Sequence, residues 1–328
     1  MGALIAGVDE AGFGPLLGPL TVGFAVLWVE DGSADDPELA ASPWKRLAKA
    51  CTKDVAKAAR HLVVADSKKV FARTDRGARR LEDTALAFLA QCTPAMPCGA
   101  DLVPGRFCRA DGIERHPWYG GLRDPLPRHG ERGALELAAE RLRRTLEEAH
   151  VRVLDAGVHA LFEQDYNGAC DQHGNKSLAL WHAALPLVQR VWDLVAGNEG
   201  LMVLDRQGGR ARYGALLAQG LPGASVRMLF ERGEESAYEL RGRGDTRRLI
   251  VRFQERGEEA SFPTALASCL AKYTRELCMD ALNGFFARHQ AGLAPTAGYT
   301  TDGRRWLVEA APAIASAGLE PSALVRTR

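Results

Sequence analysis

The chain opens with an apolar run, Leu4 to Asp9, that ends on two adjacent carboxylates, Asp9 and Glu10, and then breaks on Gly12, Gly14 and Pro15. A second run, Leu20 to Val29, is rich in apolar and β-branched residues. Two such runs joined by a glycine-rich connection specify a β-hairpin. Successive side chains on a regular strand face opposite ways, so Asp9 and Glu10 can share a cation only where the strand stops being regular. Gly12, Gly14 and Pro15 supply that break, and the glycines let backbone N–H groups approach a ligand closely. Taken alone, an Asp-Glu pair at a strand end is usually a solvated acidic turn. A dinucleotide fingerprint does not fit, because the glycines run G-x-G-x-x-x-G and the acids precede them, where they would repel a pyrophosphate.

Beyond the hairpin, residues 31–60 read as an insertion with a helix near Trp44 to Ala59, and His61 to Ala65 as a strand. Arg76 to Gln91 has the apolar spacing of an amphipathic helix. Residues 92–132, rich in Pro, Gly, Arg and aromatics without periodicity, read as an irregular insert. A helix Gly133–His150 and a strand Val151–Asp155 follow. Next come a helix Lys176–Ala196, a strand Leu201–Leu204, strands Ser225–Phe230 and Leu249–Phe253, and a long helix over 264–288. Antiparallel strands first, then strands alternating with helices, predict a mixed α/β sheet flanked by helices.

Lys and Arg total 42 against 41 Asp and Glu, so no global basic field draws in a polyanion and any phosphate binding must rest on a local patch. No stretch approaches the ~20 apolar residues that span a bilayer. The chain starts directly with a strand and not with a charged leader, so a cytoplasmic protein without membrane attachment is expected. Its seven cysteines include no C-x-x-C pair, which suits reduced thiols. Cys170-Asp171-Gln172-His173 lacks a second ligand pair and reads as loop.

Further blocks carry polar chemistry: Asp66-Ser67-Lys68-Lys69 after a strand, Met202-Val203-Leu204-Asp205 at a strand end, and Ala267 to Glu276, followed by Met279, in the long helix. The tail adds Gly298-Tyr299-Thr300-Thr301 and Gly318-Leu319-Glu320-Pro321 with Arg326. Together with residues 7–19 these blocks resemble, in order and over nearly the whole chain, the type 2 ribonucleases H (ribonuclease HII). The motifs are the family's DEAGRGPLAGP-like strand end, DSKK element, ASI-AK-TRD helix, GYGT turn and GPSP…HRR tail. The resemblance implies a ribonuclease H-like fold, with a catalytic domain over 1–290, its insertion at about 92–132, and a substrate-contacting helical and loop extension over 291–328.

It also implies a metal-dependent endonuclease that hydrolyses the RNA strand of RNA/DNA hybrids or ribonucleotides embedded in a DNA duplex, acting as a monomer. Asp9, Glu10, Asp205 and Glu276 stand at the catalytic and metal-binding positions. Four carboxylates brought together repel one another unless cations neutralise them, and an oxygen-only set suits Mg²⁺ or Mn²⁺. Two ions about 3.5–4 Å apart clamp a scissile phosphate and generate the attacking hydroxide.

Gly12, Phe13, Gly14, Ser67, Lys68, Lys69, Arg206 and Tyr299 fall at substrate-binding positions, the tyrosine where the family packs a ring against the sugar and senses the 2′-OH. Read without the resemblance, Ser67 to Lys69 is a turn with solvated lysines, Glu276 a solvated helix residue paired with Lys272, and Tyr299 part of an ordinary turn. Two departures stand out: the family's Gly-Arg-Gly is Gly12-Phe13-Gly14, and the fourth acid is Glu in place of Asp. The competing reading is a nucleic-acid-binding protein of the same fold that has lost catalysis or shifted substrate.

Overall fold

The computed structural model describes residues 2–93, 112–207 and 209–327. Strands β1 (Gly2–Ala11) and β2 (Leu20–Glu30) form the expected hairpin, paired antiparallel from Gly2 opposite Glu30 to Ala11 opposite Thr21. There follow β3 (Cys51–Thr52), β4 (Leu62–Val63), β5 (Val151–Leu161), β6 (Glu199–Asp205), β7 (Ala224–Arg232), β8 (Glu235–Gly242) and β9 (Arg248–Gln254). One seven-stranded sheet has the order β5-β2-β1-β6-β9-β8-β7. β2 runs antiparallel to both of its neighbours, β5 and β1, whereas β1, β6 and β9 run parallel. This is the mixed α/β sheet that the sequence predicts.

Each face of the sheet is covered by a long helix. Lys176–Val195 packs Trp181, Leu187 and Val191 onto one side, and Phe262–His289 packs Phe262, Leu266 and Leu270 onto the other. Each such buried side chain contributes about 1.5–3 kcal/mol of hydrophobic stabilisation. The second helix lies unusually close. A Cβ on Gly7 would stand 2.1 Å from the backbone nitrogen of Thr264, and one on Gly23 would stand 2.2 Å from the carbonyl oxygen of Ala267. Thr264 fixes the approach by donating its hydroxyl to the carbonyl of Val203 in β6 at 3.0 Å.

The tail folds back as helices Thr300–Glu309, Ala311–Ser316 and Pro321–Leu324. Its Trp306 is fully buried, edge-on to Phe286 at 5.1 Å, within the same apolar cluster as the long helix.

Several segments differ from their sequence reading. The helix expected over 44–59 is only Ser42–Arg46, because Cys51-Thr52 pairs with β4 and Asp54 turns the chain by accepting from the N–H of Ala56 at 2.9 Å. Residues 163–173 are helical and not loop, ended by Gly174 at φ 80°. β8 shows no apolar alternation in the sequence, because it buries Ser236 on one face and Glu239 on the other, the latter held by Arg227, Arg241 and Arg248. Of the insert at 92–132, residues 94–111 lie outside the described residues. Downstream, a short helix Gly112–Arg115 and a 3₁₀ helix Pro117–Arg123 bury Trp118 and Tyr119, so this part is packed and not irregular surface.

Candidate active site

The acids gather where two parallel strands end. β1 and β6 pair up to Val8 beside Leu204, so Asp9 and Asp205 come next, side by side on strands about 4.8 Å apart. Asp9 shares the face of Gly7, the face on which the long helix lies so close. That helix brings the Ser268 hydroxyl to the Asp9 carboxylate, and the hydroxyl of Ser67 stands 2.9 Å from that of Ser268. The ladder to β2 stays regular through Ala11, so the break expected at Asp9 lies later, past Ala11. Glu10 nevertheless feels the charge of Asp205.

Electrostatics shows how tightly the acids are grouped. Burial, then the charges of Glu10 and Asp205, hold the Asp9 carboxyl well above the usual range. Burial and Asp205 push Glu10 up to about 8. Desolvation also raises Asp205, although the backbone N–H groups of Gly257, Arg206 and Arg256 donate to it. The Gly257 bond measures 3.3 Å.

A fourth carboxylate, missed in the sequence, belongs to this group. Glu258 raises the affinity of both Asp9 and Glu10 for protons, and burial followed by the Asp205 charge raises its own. It sits on the short helix Gly257–Ala260 that follows β9, where Gln254 pairs with Asp205. The available signal was an acid just past β9, a strand parallel to β6, at the same end of the sheet as Asp9 and Asp205.

Glu276 is a correction. It lies on the long helix eight residues beyond Ser268, roughly 12 Å further along the axis, and pairs with Lys272. There it lines a separate cavity of about 270 Å³ with Phe71, Tyr273 and Asp280. The motif placed it correctly in the helix but not at the strand ends.

The remaining candidates divide. Lys68 is exposed and its charge reaches Glu10, Asp205 and Glu258. Lys69 is exposed and pairs with Glu259 at 3.1 Å. Ser67 is buried and supports Ser268, so it does not face a phosphate. Arg206 is turned inward too, donating to the carbonyl of Gly233 at 2.6 Å and to Glu255 at 2.8 Å.

The loop Gly12-Phe13-Gly14 borders the acids, and Lys176 holds its ammonium 5.2 Å from the centre of the Phe13 ring. Tyr299 is 54% exposed. It sits beside the loop because the preceding carbonyl of Gly298 accepts from the N–H groups of Leu16 at 2.7 Å and Leu17 at 3.0 Å.

Among the described residues, no group of three or more His, Cys, Asp or Glu side chains is placed so that it could hold a metal ion. Raised, mutually repelling carboxylates beside one exposed lysine are what an oxygen-donor site presents before positive charge arrives. Asp9, Glu10, Asp205 and Glu258 offer only oxygen donors, the ligand chemistry that hard divalent cations take.

No family model matches the chain, and no curated protein matches it. Among solved structures, 99% of the chain is similar to 94% of a chain in the PCNA:RNase HII complex from Archaeoglobus fulgidus, at 15% identity and a TM-score of 0.42. It is also similar to ribonuclease H2 from Pyrococcus horikoshii, with 17% identity, TM-score 0.37, and 98% of this chain on 92% of that one. Bst-RNase HIII in complex with Mn²⁺ gives 16% identity and TM-score 0.42, with 99% of this chain on 66% of that one. At such identities the chemistry must be argued from the residues themselves.

Proposed function

We propose that the protein is a metal-dependent endonuclease that hydrolyses the RNA strand of RNA/DNA hybrids, or ribonucleotides embedded in a DNA duplex. The observation that carries this reading is the convergence of Asp9, Glu10, Asp205 and Glu258 at one end of the central strands, where Glu10, Asp205 and Glu258 each raise the proton affinity of another acid of the group. Such a cluster weakens the fold unless something positive binds it, and a binding module has no use for it. Asp9, Glu10, Asp205 and Glu258 would hold Mg²⁺ or Mn²⁺. When bound, these ions supply an activated water and stabilise the leaving oxygen of in-line phosphodiester hydrolysis.

The chain's own groups do the rest. Lys68, exposed beside the acids, attracts the incoming phosphate as a point charge. Ser67 and Ser268 fix the Asp9 carboxylate. The backbone of Gly12 to Gly14 approaches the sugar-phosphate chain, and the exposed Tyr299 ring packs against a sugar near the 2′-OH.

The test is cleavage of three end-labelled duplexes in Mg²⁺ and in Mn²⁺: a uniform RNA/DNA hybrid, a DNA duplex with one ribonucleotide, and all-DNA. Cleavage confined to ribonucleotide positions supports the reading. Equal cleavage of the all-DNA duplex, or none of any substrate in either metal, contradicts it.

A further inference from the structure

Residues 42–61 build a basic furrow that the catalytic reading does not use. The helix Ser42–Arg46, β3 and the turn Val55–Lys57 enclose a cavity of about 580 Å³. Trp44 forms one wall, its indole N–H held on the carbonyl of Val64 at 2.8 Å. Lys53 places its ammonium 3.5 Å from the centre of that ring, and Lys57, Arg60 and His61 complete the lining. Arg60 and His61 also line a second cavity of about 130 Å³, closed from the far side by Arg79, Arg80 and Arg141. Arg60 and His61 line both, so the two cavities adjoin.

Few acids oppose these cations. Asp83 stands 3.6 Å from Arg79, and Asp54 is engaged in capping its own turn. Among the described residues, Lys57, Arg60 and Arg141 form no ion pair with a carboxylate. The chain carries 42 basic and 41 acidic residues, so a concentration of unneutralised cations here is not a by-product of composition.

The furrow also reaches the acids. Lys53 donates to the main-chain carbonyl of Glu259 at 2.9 Å, and Lys69 pairs with the Glu259 carboxylate at 3.1 Å. Glu259 is the neighbour of Glu258, so the furrow starts at the back of the turn that carries the fourth acid. Cations mounted separately along an open furrow suit a series of phosphates, and an aromatic wall offers a surface on which a base or sugar can stack.

We infer that residues 42–61, with Arg79, Arg80 and Arg141, form a second phosphodiester-binding surface that carries the substrate strand away from the catalytic acids. This inference rests on the nuclease reading above and extends it. The surface sets how much of the duplex is gripped, while the acids set where it is cut. Its contacts are to backbone phosphates and carry no sequence information.

The test uses the full-length chain with the double substitution Lys57→Ala and Arg60→Ala, both at exposed positions. Binding of a long labelled hybrid is measured by fluorescence polarisation across a salt series without divalent metal. Losing two phosphate contacts should reduce the slope of log K against log salt by about 2, at roughly 0.9 per phosphate. In Mn²⁺, cleavage of the long hybrid at low concentration should fall, while a hybrid too short to reach the furrow is cut as by wild type. An unchanged salt slope, or equal loss on long and short substrates, overturns the proposal. So does a poly-glutamate that displaces the hybrid from wild type but not from the variant, which would assign the furrow to an acidic protein. If wild type binds with the predicted slope change yet cuts neither hybrid, the surface stands and the nuclease reading fails.

Discussion

The guanidinium of Arg326 donates to the carbonyl of Phe13 at 3.0 Å and also to that of Gly12, tying the end of the chain to the loop beside the acids. It is 2% exposed and lies 3.7 Å from the centre of the Tyr166 ring. Arg275, equally buried, donates to the carbonyls of Leu17 and Ala297 at 3.2 Å each. The glycine loop is thus held from beneath by two arginines, one from the long helix and one from the tail. Hydrogen bonds from a charged donor contribute about 1.5–3 kcal/mol. Arg326→Ala should therefore lower stability by about 2–3 kcal/mol in urea unfolding and slow hybrid cleavage without changing Mn²⁺ affinity. Unaltered cleavage would show that the loop does not need its clamp.

Gly7 and Gly14 make a matched pair of tests. A methyl on Gly7 meets helix backbone, which cannot step aside, whereas one on Gly14 meets nothing within 4 Å. Gly7→Ala should cost about 3 kcal/mol or more, and Gly14→Ala within about 0.5 kcal/mol. Thermal unfolding followed by circular dichroism decides, and equal melting temperatures for the two would refute the close packing of helix on sheet.

These relationships also explain what could be read in advance. The hairpin and the long helices follow from local periodicity, whereas Asp9, Glu10 and Asp205 stand out only through the ordered motifs that carry the family resemblance. Glu258 did not, since its neighbourhood is created by the parallel register of β6 and β9 and not by its own segment. Glu276 was misplaced for the converse reason: its motif is local, but two helical turns separate it from Ser268. Ser67 looked like a phosphate ligand because sequence cannot show that the long helix covers it. The structure of the 42–61 segment depends on a two-residue pairing of β3 with β4, too short to leave a periodic signal.

Glu163 gives a pH signature away from the acids. It is fully buried, accepts from the Tyr119 hydroxyl at 2.5 Å and the Gly18 N–H at 3.1 Å, and burial pushes it up to about 7 from an ordinary 4.5. A folded value raised above the unfolded one means its contribution is full below pH 4.5 and is lost as pH rises through about 7. That gap corresponds to roughly 3 kcal/mol. The stability of wild type relative to Glu163→Gln should fall by that order between pH 4.5 and 7.5 in denaturant titrations. A difference that stays flat with pH would show that Glu163 is ionised throughout.

Tyr299 should govern substrate and not metal. Removing an exposed stacking ring costs roughly 1–3 kcal/mol per base, so Tyr299→Ala should weaken hybrid binding about ten- to a hundredfold, and Tyr299→Phe far less. Polarisation binding alongside Mn²⁺ titration separates the two effects. Loss of Mn²⁺ affinity in Tyr299→Ala would make the residue structural.

The central claim is that the working acids are the four at the strand ends. The direct measurement is Mn²⁺-dependent hybrid cleavage by wild type, Glu258→Gln and Glu276→Gln under identical conditions, with folding checked by circular dichroism. Glu258→Gln should lose about a hundredfold or more in rate, while Glu276→Gln, paired with Lys272 beside a different cavity, should cleave near the wild-type rate. Near-normal cleavage by Glu258→Gln, with Glu276→Gln inactive, would contradict the account.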